Sequence, residues 1–496
     1  MTRRPMAAIA LAVTLVVAGC AVGYQPGAPE RSEAPTNDHL GYYDGYWYND
    51  TFDIDPAAGL TEGEKQAVFS RAMARVQLLR GLRFEDDVDI DVISRNQFRE
   101  EFDDVWPDPS EDRRTIDNAQ HEALFLVGPD EDVVDVRRNN QGGTVLGFYQ
   151  PGVERIVIVS GNDPATLDDE LTLAHELLHA LQDQRFGLRD PDSTTLDAVN
   201  ARNGLVEGDA VVVERAYERN CETGEWQCVD TESDSGGTLP SEFHWGVYFL
   251  GFFPYAEGPS FVEHHRDVGG WDAVDPMYDE YPTASAEIIR PESYGTDAYG
   301  DAVVEDRNTG GWERVTVDNG SAGATVGRAG LASMFAYTAY AGDRPGVIER
   351  SEFRNEGADS SERPYTYDVP YTEGWYGDRL HAYRQGGETA YVWNVTFNDG
   401  ENATAFRDGY EQVAEHWGGE RERTAGSGTR LLFDGSETFD GAVRIQQDGN
   451  AITVIKAPSP GERSEVYAPT HTPVAADVVS VPETETAAAD RSPAAD

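Results

Sequence analysis

Lysine is almost missing from these 496 residues: only Lys65 and Lys456 occur, and every other one of the 39 cationic residues is arginine. Against them stand 90 acidic residues, a formal net charge of -51. That surplus repels nucleic acid and anionic membrane surfaces, which argues against a DNA or RNA partner. Cysteine is scarce too, with three residues. Cys221 and Cys228 have no second cysteine pair to join them in a structural zinc site. The apolar run over 6–18 is too short to cross a membrane.

What is present is enough to fold. Apolar residues make up 39% of the chain and recur with helical and strand periods, and the length allows two or three domains. Residues 1–20 read as an export signal, with Arg3 and Arg4 before the apolar run. Val17, Ala18, Gly19 and Cys20 look like a lipobox, so Cys20 is expected to carry lipid and to tether the chain to the outer face of the cell membrane. Cys221 and Cys228 are then left as a pair, and an exported compartment permits a disulfide between them.

The order of helical and strand periods along the chain predicts an α+β protein. A tether covers 21–50, a main domain 51–300, a smaller α+β module 301–456, and a disordered acidic tail 457–496. In the main domain a helix is expected over 61–82, with Thr61 and Glu64 spaced as a capping box and Val68, Ala72, Val76 and Leu79 as its buried stripe. A strand is expected over 88–92, and a polar stretch follows it. Strands over 144–149 and 155–159 form a hairpin. Further helices are expected over 196–217, 243–253, 261–268 and 271–278. In the module, segments 327–340 and 409–417 accompany alternating stretches at 391–397, 430–433 and 442–455.

The hairpin leads into LTLAHELLHALQDQ, which begins at Leu171, and Thr166 is a candidate cap for that helix. At about 100° per residue, Leu167, Leu171, Ala174, Leu178 and Leu181 fall on one stripe, and His175, His179 and Gln182 on the stripe beside it. Two imidazoles one turn apart can bind one ion, and Glu176 is set to act on water there as a general base. In a chain of this composition the HExxH pattern arises by chance roughly 2% of the time. A buried helix with two hydrogen-bonded histidines is the alternative. It leaves three ionisable groups needing partners on a mostly apolar helix.

A catalytic zinc site normally takes three protein ligands. Gln182 and Arg185 occupy the positions at which an extended HExxHxxGxxH motif would need Gly and His, so the third ligand is sought on the next helix. Glu207, between Gly204 and Gly208, is preferred over Glu214, which shares its face. The two glycines are expected to let that helix approach the HExxH helix closely. Gln182 or Asp183 is a candidate to orient a ligand.

On these residues the stretch 61–294 resembles the gluzincin group of zinc metallopeptidases. The resemblance implies a zincin-like domain in which His175, His179 and Glu207 hold Zn2+ and Glu176 is the base. It also implies that the hairpin is the sheet edge along which an extended peptide lies. Members usually carry a His, Tyr or Arg that stabilises the oxyanion, and the candidates are His264, His265, Arg290 and Tyr294. The whole chain resembles an uncharacterised family of haloarchaeal surface lipoproteins. Its charge and arginine bias resemble proteins of salt-in halophiles, where a Debye length of roughly 3 Å at molar salt screens self-repulsion. The expectation is a lipid-anchored surface peptidase acting on extracellular peptides or proteins. The rival expectation is a non-catalytic surface binding or envelope-organising lipoprotein on the same scaffold, using the aromatic-rich stretch 41–48 and the C-terminal module.

Overall fold

The structure, a computed structural model, describes residues 39–469 except 56–58, 106–107, 189–194, 230–238, 240–241, 297, 318–322, 343, 358–359, 361, 423–427 and 436–437; for 101–105 it describes the backbone only. The export signal, Cys20 and residues 470–496 lie outside the described residues. The architecture is a mixture of helix and sheet.

A short hairpin, β1 (Tyr42–Tyr43) and β2 (Tyr46–Trp47), packs on α1 (Glu62–Arg80). Tyr42 and Tyr43 are buried, so the tether expected over 21–50 does not extend through this hairpin, and the aromatic stretch 41–48 contributes to the fold. The α1 boundaries are those that local chemistry sets. Thr61 and Glu64 form the capping box, and Gly81 ends the helix at φ 79°, a left-handed conformation that favours glycine.

β3 (Asp89–Ser94) is followed by α2 (Arg95–Val105), α3 (Glu111–Ala123) and α4 (Val133–Thr144). In sequence that region shows only a polar stretch. Ser110 and Asp132 cap α3 and α4, and Ile116, Ala119 and Ala123 supply a narrow apolar stripe at helical spacing. β4 (Gly147–Gln150) and β5 (Arg155–Ser160) form the expected hairpin, and β3 adds in parallel on the far side of β5. The resulting order, β3-β5-β4, leaves β4 at an edge.

α5 (Glu170–Phe186) and α6 (Leu196–Glu222) follow, and Cys221 at the end of α6 is disulfide-bonded to Cys228. α7 (Trp245–Gly269) is continuous where two helices were expected, and it carries Pro254 and Pro259 in its interior. The helix persists through its lost backbone hydrogen bonds because it is clamped against α6. A Cβ on Gly258 would lie 2.3 Å from the Gly204 carbonyl oxygen, and one on Gly208 would lie 2.4 Å from the Gly258 carbonyl. The glycines of α6 therefore serve its crossing with α7, and at Gly204 also Ile288, instead of an approach to α5.

α8 (Trp271–Val274) and α9 (Ser285–Ile289) lead to a seven-stranded antiparallel sheet. Its members are β6 (Glu313–Arg314), β7 (Trp375–Gln385), β8 (Glu388–Phe397), β9 (Glu420–Arg421), β10 (Thr429–Asp434), β11 (Asp440–Asp448) and β12 (Ala451–Ala457), in the order β6-β7-β8-β12-β11-β10-β9. α10 (Gly327–Thr338), α11 (Arg350–Phe353), α12 (Gly400–His416) and α13 (Arg463–Val466) accompany it. Val466 is fully buried and Arg463 is ion-paired to Glu422, so the fold continues past residue 457, where a disordered tail was expected to begin.

Of four buried clusters among the described residues, two are large. One joins α1, β5, α5 and the C-terminal half of α6 through Val68, Val76, Ile158, Leu177 and Val213. Each fully buried leucine or valine there contributes about 1.5–3 kcal/mol relative to exposure. The other runs from Leu205 and Phe253 through Leu331 and Phe335 to Trp393 and Phe406, and so crosses the boundary expected near residue 300.

Candidate metal centre

Asp169, not Thr166, caps α5: its carboxylate accepts from the Thr172 amide at 2.7 Å, while the Thr166 hydroxyl bonds Asp168 at 2.8 Å. The next residue, Glu170, is completely buried. It pairs with Arg71 at 3.0 Å and Arg75 at 2.8 Å, and it accepts from the Tyr217 hydroxyl at 2.5 Å and the Val229 amide at 2.8 Å. This cluster ties the start of α5 to α1, α6 and the segment beyond the disulfide. Leu173, Leu177, Leu178 and Leu181 are fully buried, which leaves the histidine stripe to face α6.

On that face three atoms converge. His175 Nε2 and His179 Nε2 are 3.1 Å apart, and Glu207 Oε2 lies 3.3 Å from the first and 3.2 Å from the second. The outward bonds fix the tautomers. Glu214 Oε2, which can only accept, lies 2.8 Å from His175 Nδ1. Gln182 spends its amide nitrogen on the Val206 carbonyl and the Tyr278 hydroxyl, so its oxygen faces His179 Nδ1 at 2.9 Å. Both Nδ1 atoms therefore carry a proton, so that in the neutral rings it is Nε2 that faces Glu207 and is open to an ion.

Three such atoms, all within 4.8 Å of one another, could hold a cation. A tetrahedral zinc site with bonds of about 2.0–2.1 Å has ligand–ligand edges of about 3.3 Å, which the spacings fit. The electrostatics agree. Burial opposes charging His175, but its bonds to Glu207 and Glu214 outweigh that and raise its pKa well above the ordinary value. For His179 burial is likewise outweighed by Glu207. Burial pushes Glu207 up, but the two imidazoles hold it far below the carboxylate range.

Behind His175 and His179 runs a chain of bonds of which the sequence signals only Gln182. Tyr278 donates to Asp209 at 2.8 Å, Arg80 bonds both oxygens of Asp209 at 3.0 Å, and Arg80 also reaches Asp275 at 2.6 Å. Asp183, the other orienting candidate, accepts from the Tyr149 hydroxyl at 2.9 Å and from the Leu188 amide at 2.8 Å, and no bond from it to His175, His179 or Glu207 is seen among the described residues. Glu214, weighed as a rival ligand, acts on the outer nitrogen of His175.

Glu176 is buried and, among the described residues, nothing hydrogen-bonds its carboxylate. Burial raises its pKa, against the pull of the two histidines. A Cβ on Gly147 would stand 3.0 Å from Glu176 Oε1, so β4 passes directly over this group. Tyr255 of α7 stacks on His175, ring centroids 6.2 Å apart, with its hydroxyl set against Glu207. His175, Glu176, Tyr255 and Gly147 line a cavity of about 1100 Å³. Val199, 37% exposed, lines the same cavity.

The four oxyanion candidates are elsewhere. His265 packs on Phe261 and Tyr294, His264 sits against His265, Tyr294 donates to the Glu280 carbonyl at 2.6 Å, and Arg290 pairs with Asp368 at 3.4 Å. None is among the described residues lining the cavity. His264 lies nine residues beyond Tyr255, about 13 Å along α7. Tyr255 was missed because an aromatic run such as that around it reads as core.

Residues 313–467 match the model of a domain of unknown function, DUF8575. That span runs from β6 to just past α13 and contains none of the described residues that line the cavity. No curated protein and no solved structure matches the chain.

Proposed function

We propose that this protein is a zinc-dependent peptidase with a zincin-like catalytic half, exported and anchored through Cys20 to the outer face of the membrane, where it acts on extracellular peptides or proteins. The observation that carries the reading is the convergence of His175 Nε2, His179 Nε2 and Glu207 Oε2 at tetrahedral-edge spacings beneath a large cavity. The Cys221–Cys228 disulfide favours an oxidising compartment.

His175, His179 and Glu207 would hold the ion. A zinc ion bound there supplies Lewis acidity, polarising a peptide carbonyl and drawing the pKa of water toward roughly 7. The unpaired edge of β4 receives an extended substrate backbone beside Glu176. Glu176, with no competing hydrogen bond, takes the proton of the attacking water and returns it to the leaving amine. The Tyr255 hydroxyl donates to the oxygen on which negative charge develops. Gln182 and Glu214 keep the imidazoles oriented.

The test uses mature protein in molar salt with a mixed peptide library. Cleavage is expected to stop on chelation, to return with zinc, and to fall by about 10²–10⁴-fold in Glu176→Gln. Equal, chelator-insensitive cleavage by both proteins would contradict the proposal.

A further inference from the structure

The cavity has a second polar end. Arg113, Asp117 and His121 of α3 recur every four residues and Arg137, Gln141 and Thr144 of α4 at helical spacing, so each helix turns one polar face into the same space. α4 runs directly into β4, and Arg137 lies seven residues before Thr144, about 10 Å along the helix. The arginine therefore sits about two turns back from the strand that passes over Glu176.

Its partner is unusual for this molecule. The buried arginines are each neutralised by a carboxylate: Arg71 and Arg75 by Glu170, Arg80 by Asp209, Arg328 by Asp368 and Arg463 by Glu422. Arg137 makes no direct ion pair with a carboxylate among the described residues, although Asp117 and Asp132 act on it at longer range. Its Nη2 donates to His121 Nε2 at 3.1 Å, and His121 Nδ1 donates to the Asp117 carbonyl at 2.8 Å. Burial, and next the arginine itself, push His121 down to about 3, so it stays a neutral acceptor that orients the guanidinium without cancelling its charge. In a chain with a net charge of -51, this guanidinium faces the cavity while its bonded partner is an uncharged ring.

We infer that Arg137, oriented by His121, is a specificity residue that receives a carboxylate of the substrate in this cavity. The inference rests on the peptidase reading and adds the substrate class: peptides bearing an acidic side chain or a free C-terminal carboxylate near the cleaved bond. A planar guanidinium with N–H groups beyond the one given to His121 suits such a group, and a contact inside the cavity is screened less by salt than one on the surface.

The test compares peptides that differ only by Glu against Gln at successive positions, each made as the free acid and as the C-terminal amide. Wild type in molar salt is expected to prefer the carboxylate-bearing member by about 10–100-fold in kcat/KM at one position. In Arg137→Gln that ratio is expected to fall to near one. A preference that follows internal Glu assigns the contact to a side chain, and one that follows the free acid assigns it to the C-terminus. Binding of the same labelled peptides to Glu176→Gln, read by fluorescence anisotropy, gives a second measure that needs no turnover. Binding preference without any cleavage by wild type would support this inference while removing the peptidase reading. Cleavage or binding indifferent to the carboxylate in wild type, or a preference that survives in a folded Arg137→Gln, would overturn it.

Discussion

Gln182 holds His179 by its outer nitrogen: Oε1 accepts from Nδ1 at 2.9 Å, while the amide nitrogen is pinned by the Val206 carbonyl at 3.0 Å. The bond selects one tautomer and one ring orientation. Replacing Gln182 with leucine, close in size, keeps the packing and removes the orientation. Zinc affinity should fall by about 10–100-fold with the far-ultraviolet circular dichroism unchanged. Unaltered affinity in a competition titration would count against this role.

Glu207 and Glu214 both face His175, yet at different nitrogens. Glu214→Ala should therefore weaken zinc binding by a factor of about 10–100, as loss of an outer partner does. Glu207→Ala removes the proposed third ligand and should weaken it much further. The reverse order in isothermal titration would exchange their roles.

Glu170 neutralises two arginines in a fully buried site. Truncating it to alanine leaves both cations without a carboxylate, a loss of about 3–5 kcal/mol. Chemical denaturation in molar salt measures it. A loss below about 1 kcal/mol would mean that the arginines find other partners or water.

Much of this arrangement was legible in the chain, because it is written in local rules. The Thr61–Glu64 capping box, the 147–160 hairpin and the shared face of His175, His179 and Gln182 all follow from spacing within one element. Glu207 followed from its neighbours and from the need for a third ligand. What escaped depends on contacts between distant elements. Charged residues read as solvent-facing, so the burial of Arg71, Arg75 and Arg80 against Glu170 and Asp209 gave no signal. Pro254 and Pro259 read as helix breaks, since only the glycine crossing with α6 keeps α7 whole. The oxyanion candidates were chosen by residue type alone, and α7 carries two of them well past the centre while presenting Tyr255 to it.

Asp197 gives a pH dependence remote from the centre. It is buried at the start of α6, accepts from the Ser285 amide at 2.8 Å, and faces the carboxylates of Asp378 and Glu287. Burial first, then those like charges, raise it from 3.8 to about 7 against the Ser285 bonds. Between those values the folded chain holds a proton that the unfolded chain releases, so this group's contribution falls as pH rises from about 4 to 7. Asp197→Asn should flatten that fall, by at most about 4 kcal/mol relative to wild type. Parallel stability profiles between pH 4.5 and 8 would rule it out.

The net charge of -51 predicts a strong salt response. Raising KCl from 0.1 to 2 M shortens the Debye length from about 10 Å to below about 3 Å and should raise the melting temperature. A salt-independent melting temperature would show that self-repulsion is already relieved within the fold.

The central claim is a divalent cation held by two imidazoles and one carboxylate from α5 and α6. Anomalous diffraction at the zinc edge from crystals of the mature protein tests it most directly. The account predicts one strong peak enclosed by His175 Nε2, His179 Nε2 and Glu207 Oε2. Crystals grown with zinc that show no peak there, or a peak held by other residues, would contradict it.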